Sequence, residues 1–197
     1  MLQLANSKRS VAVLLGSVRR DRMGMRAAQL VVRELKDRGH DVHLVDPLEL
    51  QLPLLDRMYK EHPAGEAPVK LERLAELYRS VDGFLIVSAE YNHGIPPALK
   101  NLLDHFLEEY FWRPSGIVCY SAGAFGGVRA AMQLRMTLAE LGMPSVPSIL
   151  PIPRIGETIE EDGTATEMTI RSMNRFLDEF LWYVGALADA RMAGTPY

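Results

Sequence analysis

The chain has 197 residues, 48% hydrophobic and 24% charged, which suits one soluble globular domain over residues 1–197 with a sizeable core. A formal net charge of -3 leaves no electrostatic footprint for nucleic acid, and a single cysteine, Cys119, excludes a cysteine metal cluster and fits a reducing cytosol. No apolar run approaches the roughly 18 residues of a spanning helix, and Met1–Ser10 has no apolar signal-peptide core, so the expectation is a cytoplasmic protein without membrane insertion.

Taken in chain order, the sequence alternates short apolar runs with amphipathic stripes. Val11–Leu15, Val42–Val45, Phe84–Val87 and Ile117–Tyr120 are rich in Val, Ile, Leu and Phe, the mark of parallel strands covered on both faces. Between them Met25, Ala28, Val32 and Leu35 share one helical stripe, as do Leu71, Leu74, Leu77 and Tyr78, then Leu99, Leu102, Leu103, Phe106 and Tyr110. Val128, Ala131, Leu134, Leu138 and Leu141 predict a fourth helix, and Ile170, Met173, Leu177, Phe180 and Val184 a last one. Gly39 reads as a helix stop, Pro96 and Pro97 as a helix start, and Gly142 with Pro144 as the end of the fourth helix. A fifth strand is expected around Pro144–Leu150, restricted to a sheet edge by Pro144, Pro147 and Pro151. Asp46–Pro68 and Pro151–Thr164 are long irregular segments. The fold class is therefore α/β: a five-stranded parallel sheet, order 2-1-3-4-5, with helices on both faces.

In such a sheet, ligands bind beyond the carboxyl ends of the strands where strand order reverses, here between the first and third strands. Three loops follow strands at that place. In the first, Gly16 permits close backbone approach and Ser17 offers a hydroxyl. Arg19, Arg20 and Arg22 add positive charge just before a helix whose N-terminal amides attract anions. It lacks the Gly-Lys-Ser/Thr of a P-loop and is not Gly-x-Gly-x-x-Gly. The second, Glu90-Tyr91-Asn92-His93-Gly94, is too polar to continue a buried strand, and its amides suit the polar edge of a flat ring. The third, Ser121-Ala122-Gly123 through Gly126-Gly127, lets backbone lie close to a planar ligand. His40 and His43 flank a strand start with no third ligand nearby and read as structural, as does Cys119.

Gly16-Ser17-x-Arg19, Glu90-Tyr91-Asn92 with Pro96-x-x-Leu99-Lys100-Asn101-x-x-Asp104, and Ser121-x-Gly123-x-x-Gly126-Gly127 with Arg129 resemble the motifs of the NADPH-dependent FMN reductase family, flavodoxin-like enzymes that include quinone and azo-dye reductases. The resemblance runs from about Val11 to Leu141. It implies that FMN is bound with Ser17, Arg19, Met23 and Gly24 around its phosphate, Glu90 to Gly94 flanking its ring, and Ser121 to Gly127 on its dimethylbenzene or ribityl side. It also implies hydride transfer from NAD(P)H to FMN, then two electrons to a quinone, free flavin or azo acceptor in alternation, and a homodimer or tetramer of dimers with the flavin near the subunit interface. The flavin carries that chemistry, so no side chain is assigned as a general acid.

Two departures from the pattern are visible. Arg22 and Gly24 stand where relatives often carry Ser or Thr and Asn, and Ala89 replaces the proline usual before Glu-Tyr-Asn. The first implies fewer side-chain contacts to the phosphate, the second a looser ring loop. The aromatic run Tyr110-Phe111-Trp112 is expected to be exposed near the ligand mouth and covered by a partner subunit. Two other readings stand beside the enzyme: a flavodoxin-like carrier of single electrons, which the mild charge of -3 disfavours, and a flavin-binding sensor without turnover.

Overall fold

A computed structural model describes residues 7–197; most of the Met1–Ser10 stretch lies outside the described residues. Five parallel strands, β1 (Ser10–Leu15), β2 (Asp41–Val45), β3 (Gly83–Ala89), β4 (Ser115–Tyr120) and β5 (Ser145–Ile152), form one sheet in the order β2-β1-β3-β4-β5, as the alternating pattern predicts. The helices are α1 (Gly24–Asp37), α2 (Pro47–Leu50), α3 (Val69–Ser80), α4 (Pro97–Asp104), α5 (Val128–Glu140), α6 (Ile155–Thr158) and α7 (Glu167–Met192).

Because successive strand residues point to opposite faces, each central strand feeds two cores. Val11, Val13 and Leu15 of β1 pack with α1 and α7 through Ala28, Leu35, Phe176 and Phe180. Ala12 and Leu14 face the other way, against α3, α4 and α5 through Leu74, Leu99, Leu102 and Leu134. All seven residues of β3 are buried, which is why its sequence is an apolar run rather than an alternation. β2 differs from the expectation of two covered faces. As an edge strand it leaves Asp41, His43 and Leu44 exposed and buries only Val45.

The punctuation acts as read. Gly39, at φ 88°, closes α1 in a Schellman arrangement: its amide donates to Lys36 O at 2.8 Å and the next amide, of His40, to Leu35 O at 3.1 Å. His40 accepts from the Arg9 amide through Nδ1 at 3.2 Å, a structural use of the ring. β5 is an edge strand and carries its prolines there. Between Ser115↔Ser145 and Ile117↔Ile149 the register shifts, and Arg135 donates to the carbonyls of Val146 and Pro147 that the bulge leaves unpaired.

Three expectations are corrected. The Leu99–Tyr110 stripe is not one helix: α4 ends at Asp104 and a single 3₁₀ turn, Glu108–Tyr110, follows. The two irregular segments contain the short helices α2 and α6. The aromatic run is not at the ligand mouth. Tyr110 is fully buried, edge-on to Phe84 at 5.2 Å, while Phe111 and Trp112 are half-buried against Tyr197. These residues precede the first residue of β4, at the end of the sheet opposite the carboxyl ends where the three loops lie.

Candidate active site

A cavity of about 300 Å³ opens at the carboxyl ends of β1, β3 and β4. Of the residues singled out in sequence, Ser17, Arg19, Arg22, Met23, Glu90, Tyr91, Ser121 and Ala122 line it, so one space touches all three loops. Gly16, Gly24, Asn92, His93, Gly94, Gly123, Gly126 and Gly127 do not line it but shape the backbone around it.

The first loop leaves β1 with the Gly16 amide still bonded to Val87 O at 2.9 Å. A Cβ on Gly16 would meet Leu99 Cδ2 at 3.0 Å and Val87 O at 3.1 Å, so the close approach this glycine permits is to the protein itself. Ser17 is only 2% exposed, and its hydroxyl is bonded to Tyr91 Oη at 2.6 Å and to the Arg19 amide at 3.4 Å. The Arg19 guanidinium lies over the Tyr91 ring, 5.9 Å from its centroid. Arg22 is already engaged: its guanidinium forks onto the buried Asp46 carboxylate and donates to Ser17 O at 2.9 Å. Asp46 also accepts from the Leu48 amide at 2.9 Å, capping α2. Arg22 thus ties the first loop to the end of β2. At the start of α1 the N-cap residue Met23 gives no side-chain cap and no acidic residue lies in the first turn, so apart from the Gly24 amide, which bonds the Tyr120 hydroxyl, the helix amides and the positive dipole end face the loop.

The second loop turns within four residues. Tyr91 and Gly94 exchange amide bonds at 3.1 and 2.9 Å, and Asn92 and His93 both take positive φ, 49° and 66°. Two consecutive left-handed residues make a type I′ turn, a conformation that Asn and His adopt more readily than most side chains. Gln133 of α5 donates to His93 O at 3.1 Å and holds the turn. Glu90 points to α5. Its carboxylate accepts from the amides of Arg129 at 3.0 Å and Ala130 at 3.3 Å and from the Arg129 guanidinium at 3.2 Å. Burial opposes its ionisation, but the Ala130 and Arg129 donors outweigh burial and hold the carboxyl below its usual range.

In the third loop the glycines answer to backbone crowding. A Cβ on Gly127, at φ 80°, would lie 2.8 Å from Tyr120 O, and one on Gly126, at φ 62°, 3.0 Å from Pro151 Cβ. Gly123 has open space and binds the next segment through its carbonyl, which accepts from Ser121 Oγ at 2.9 Å and the Arg154 amide at 3.0 Å.

Ala89, noted in the sequence only for replacing a proline, also lines the cavity, as do Asp21, Tyr120 and Ile155, which were not singled out as site residues. Ile155 sits in α6, inside a segment with no periodic signal. Tyr120 carried a usable one: a phenol closing an apolar strand puts a polar tip at the strand's carboxyl end. Burial pushes its hydroxyl up to about 12. Cys119 beside it is fully buried, and burial, then the Glu90 charge, push its thiol up to about 12, so it is inert at neutral pH.

The donor set fits a flavin mononucleotide. The Ser17 hydroxyl, Arg19 and the first turn of α1 suit a phosphate, and Tyr91, bonded to Ser17, and the Ser121–Ala122 backbone suit the flat ring beside it. The model of the family described as NADPH-dependent FMN reductase matches residues 9–156. The chain belongs to that family. Among its relatives, a quinone reductase of Pseudomonas putida is 30% identical over 184 residues, 89% of this chain and 94% of that one. An NAD(P)H-dependent FMN reductase of Saccharomyces cerevisiae is 30% identical over 145 residues, 68% of this chain and 75% of the relative. In fold the family member resembles FerB, a flavoenzyme NAD(P)H:(acceptor) oxidoreductase from Paracoccus denitrificans, with a TM-score of 0.75 at 23% identity over 90% of this chain and 98% of that one. Among the described residues no helix is long and apolar enough to cross a membrane.

Proposed function

We propose that the protein is an FMN-dependent NAD(P)H reductase that passes two electrons to a quinone, free flavin or azo acceptor. The observation that carries this reading is the convergence of the three loops on one cavity whose lining holds both donors for a phosphate and contacts for a flat ring. Bound FMN would supply hydride acceptance and two-electron transfer. The chain supplies the rest: Ser17, Arg19, Met23 and the Gly24 end of α1 hold the phosphate, Tyr91 and the Ser121–Ala122 backbone orient the ring, and Glu90 keeps the ring loop fixed on α5. With Glu90 committed to that helix and the Tyr120 phenol raised to about 12, the cavity's side chains bind and orient rather than move protons. The mild charge of -3 favours a small-molecule reductase over an electron carrier steered to basic partners.

Residues 1–197 are read as one domain acting in the cytosol. The homodimer, or tetramer of dimers, is retained on a different surface from the aromatic run: exposed Val18 and Met23 lie on the first loop, Leu48 on α2 and Phe125 on the third loop. A monomer mass by light scattering at micromolar concentration would refute that assembly. For the function itself, the purified protein is expected to release FMN by mass and to oxidise NAD(P)H faster when a quinone is added. Recovery of FAD, or a colourless protein that FMN cannot reconstitute, would overturn the cofactor reading; FMN without NAD(P)H turnover would favour the carrier or sensor.

A further inference from the structure

Gly24 opens α1 beside the cavity, and the space next to it is taken by a residue almost a hundred positions away. A Cβ at Gly24 would lie 2.2 Å from Tyr120 Oη and 2.7 Å from Tyr120 Cζ. Only the absence of a side chain at residue 24 lets a phenol from the end of β4 reach the first turn of α1.

Four observations bear on what that phenol does there. Tyr120 is 6% exposed yet lines the cavity. Its ring belongs to the core between the sheet and α1, and its hydroxyl lies against Gly24. The Ser17 hydroxyl and the Gly24 amide both bond to the Tyr120 oxygen, so that oxygen accepts from the first loop and from α1 while its own proton is left to donate elsewhere. Arg22, the loop's partly buried guanidinium, is consumed by Asp46. A buried phenol is protonated at neutral pH and donates one hydrogen bond. It sits at the first turn of α1, whose remaining amides and positive dipole end favour an anion.

We propose that the Tyr120 hydroxyl donates to the phosphate monoester of the flavin nucleotide, in the space that Gly24 leaves free. This rests on the FMN reading above and adds a third element, β4, to a phosphate site otherwise built from the first loop and α1. The residue binds cofactor and takes no part in electron transfer.

The test compares FMN with riboflavin, which has the ring and ribityl chain but no phosphate, by flavin fluorescence titration of the refolded apoprotein. Tyr120→Phe removes one hydrogen bond to a charged group, so FMN affinity should fall about ten- to a hundred-fold while riboflavin affinity stays at the wild-type value. The ³¹P resonance of bound FMN should move as well. An unchanged FMN-to-riboflavin ratio in folded Tyr120→Phe overturns the proposal, and so does an equal loss of both flavins, which would mark a packing role. Gly24→Ala gives an independent arm should Tyr120→Phe not fold: its methyl displaces the hydroxyl, and the preference for FMN should shrink; a retained preference overturns the proposal. Wild-type protein that binds neither flavin overturns the FMN reading and this proposal with it.

Discussion

Glu90, at the end of β3, and Arg129, in the first turn of α5, are joined twice: the carboxylate accepts from the Arg129 amide at 3.0 Å and from its guanidinium at 3.2 Å. The N-cap of α5 is Gly127, which has no side chain to cap with, so the cap is supplied by a different element. The ring loop and the Gly126-Gly127 loop are thereby held at a fixed separation.

Glu90→Gln keeps the shape and removes the charge. It should lower stability by about 1 kcal/mol near neutral pH, the usual worth of a helix cap. Because the folded Glu90 pKa lies below its unfolded value, the contribution is complete above the unfolded pKa and lost as pH falls through the folded one. Urea midpoints for wild type and variant should therefore differ at pH 7 and converge in acid below pH ~4. A constant difference across that range would show that the charge is not what caps α5.

Arg22→Ala would strand the Asp46 carboxylate, which is 4% exposed. Removing one partner of a buried pair costs about 3–5 kcal/mol, whereas truncating the exposed, unpaired Arg20 should cost less than about 0.5 kcal/mol. Thermal melts of the two variants without flavin test this, and similar midpoints would contradict the tie between the first loop and β2.

Arg19 lines the cavity and Arg20 does not. Arg19→Ala should therefore weaken FMN binding roughly ten- to a hundred-fold, and Arg20→Ala hardly at all. Fluorescence titration giving equal affinities would remove Arg19 from the phosphate site.

Nicotinamide and acceptor are expected to use the same cavity in turn, because the three loops form one opening at the carboxyl ends of the strands. Double-reciprocal plots at several quinone concentrations should be parallel. Intersecting lines would mean that both substrates are bound together.

Much of this was legible in residues 10–152 because a parallel sheet writes its position into composition. β1, β3 and β4 are buried on both faces and read as unbroken apolar runs, and Pro147 and Pro151 confined β5 to an edge. The three loops were legible because they follow those strands. β2 was less so: Val42, Leu44 and Val45 look like a covered strand, yet an edge position exposes most of it. The Leu99–Tyr110 stripe kept helical spacing across the break after Asp104, since side chains from a helix and a following turn can share one core.

By itself the sequence marked the five strands and most of the long helices, since hydrophobic periodicity and turn chemistry are local properties, and the fold class they imply supplied the pairing order and the loops at the switch point. Tertiary structure alone decided which side chains are left free there. Arg22 is spent on Asp46, Glu90 on α5, and Gly24 makes room for Tyr120, while Tyr110 is drawn into the core at the far end of the sheet. Each of these depends on a partner distant in sequence, and hydrogen bonding and burial are settled by proximity in space rather than by position along the chain.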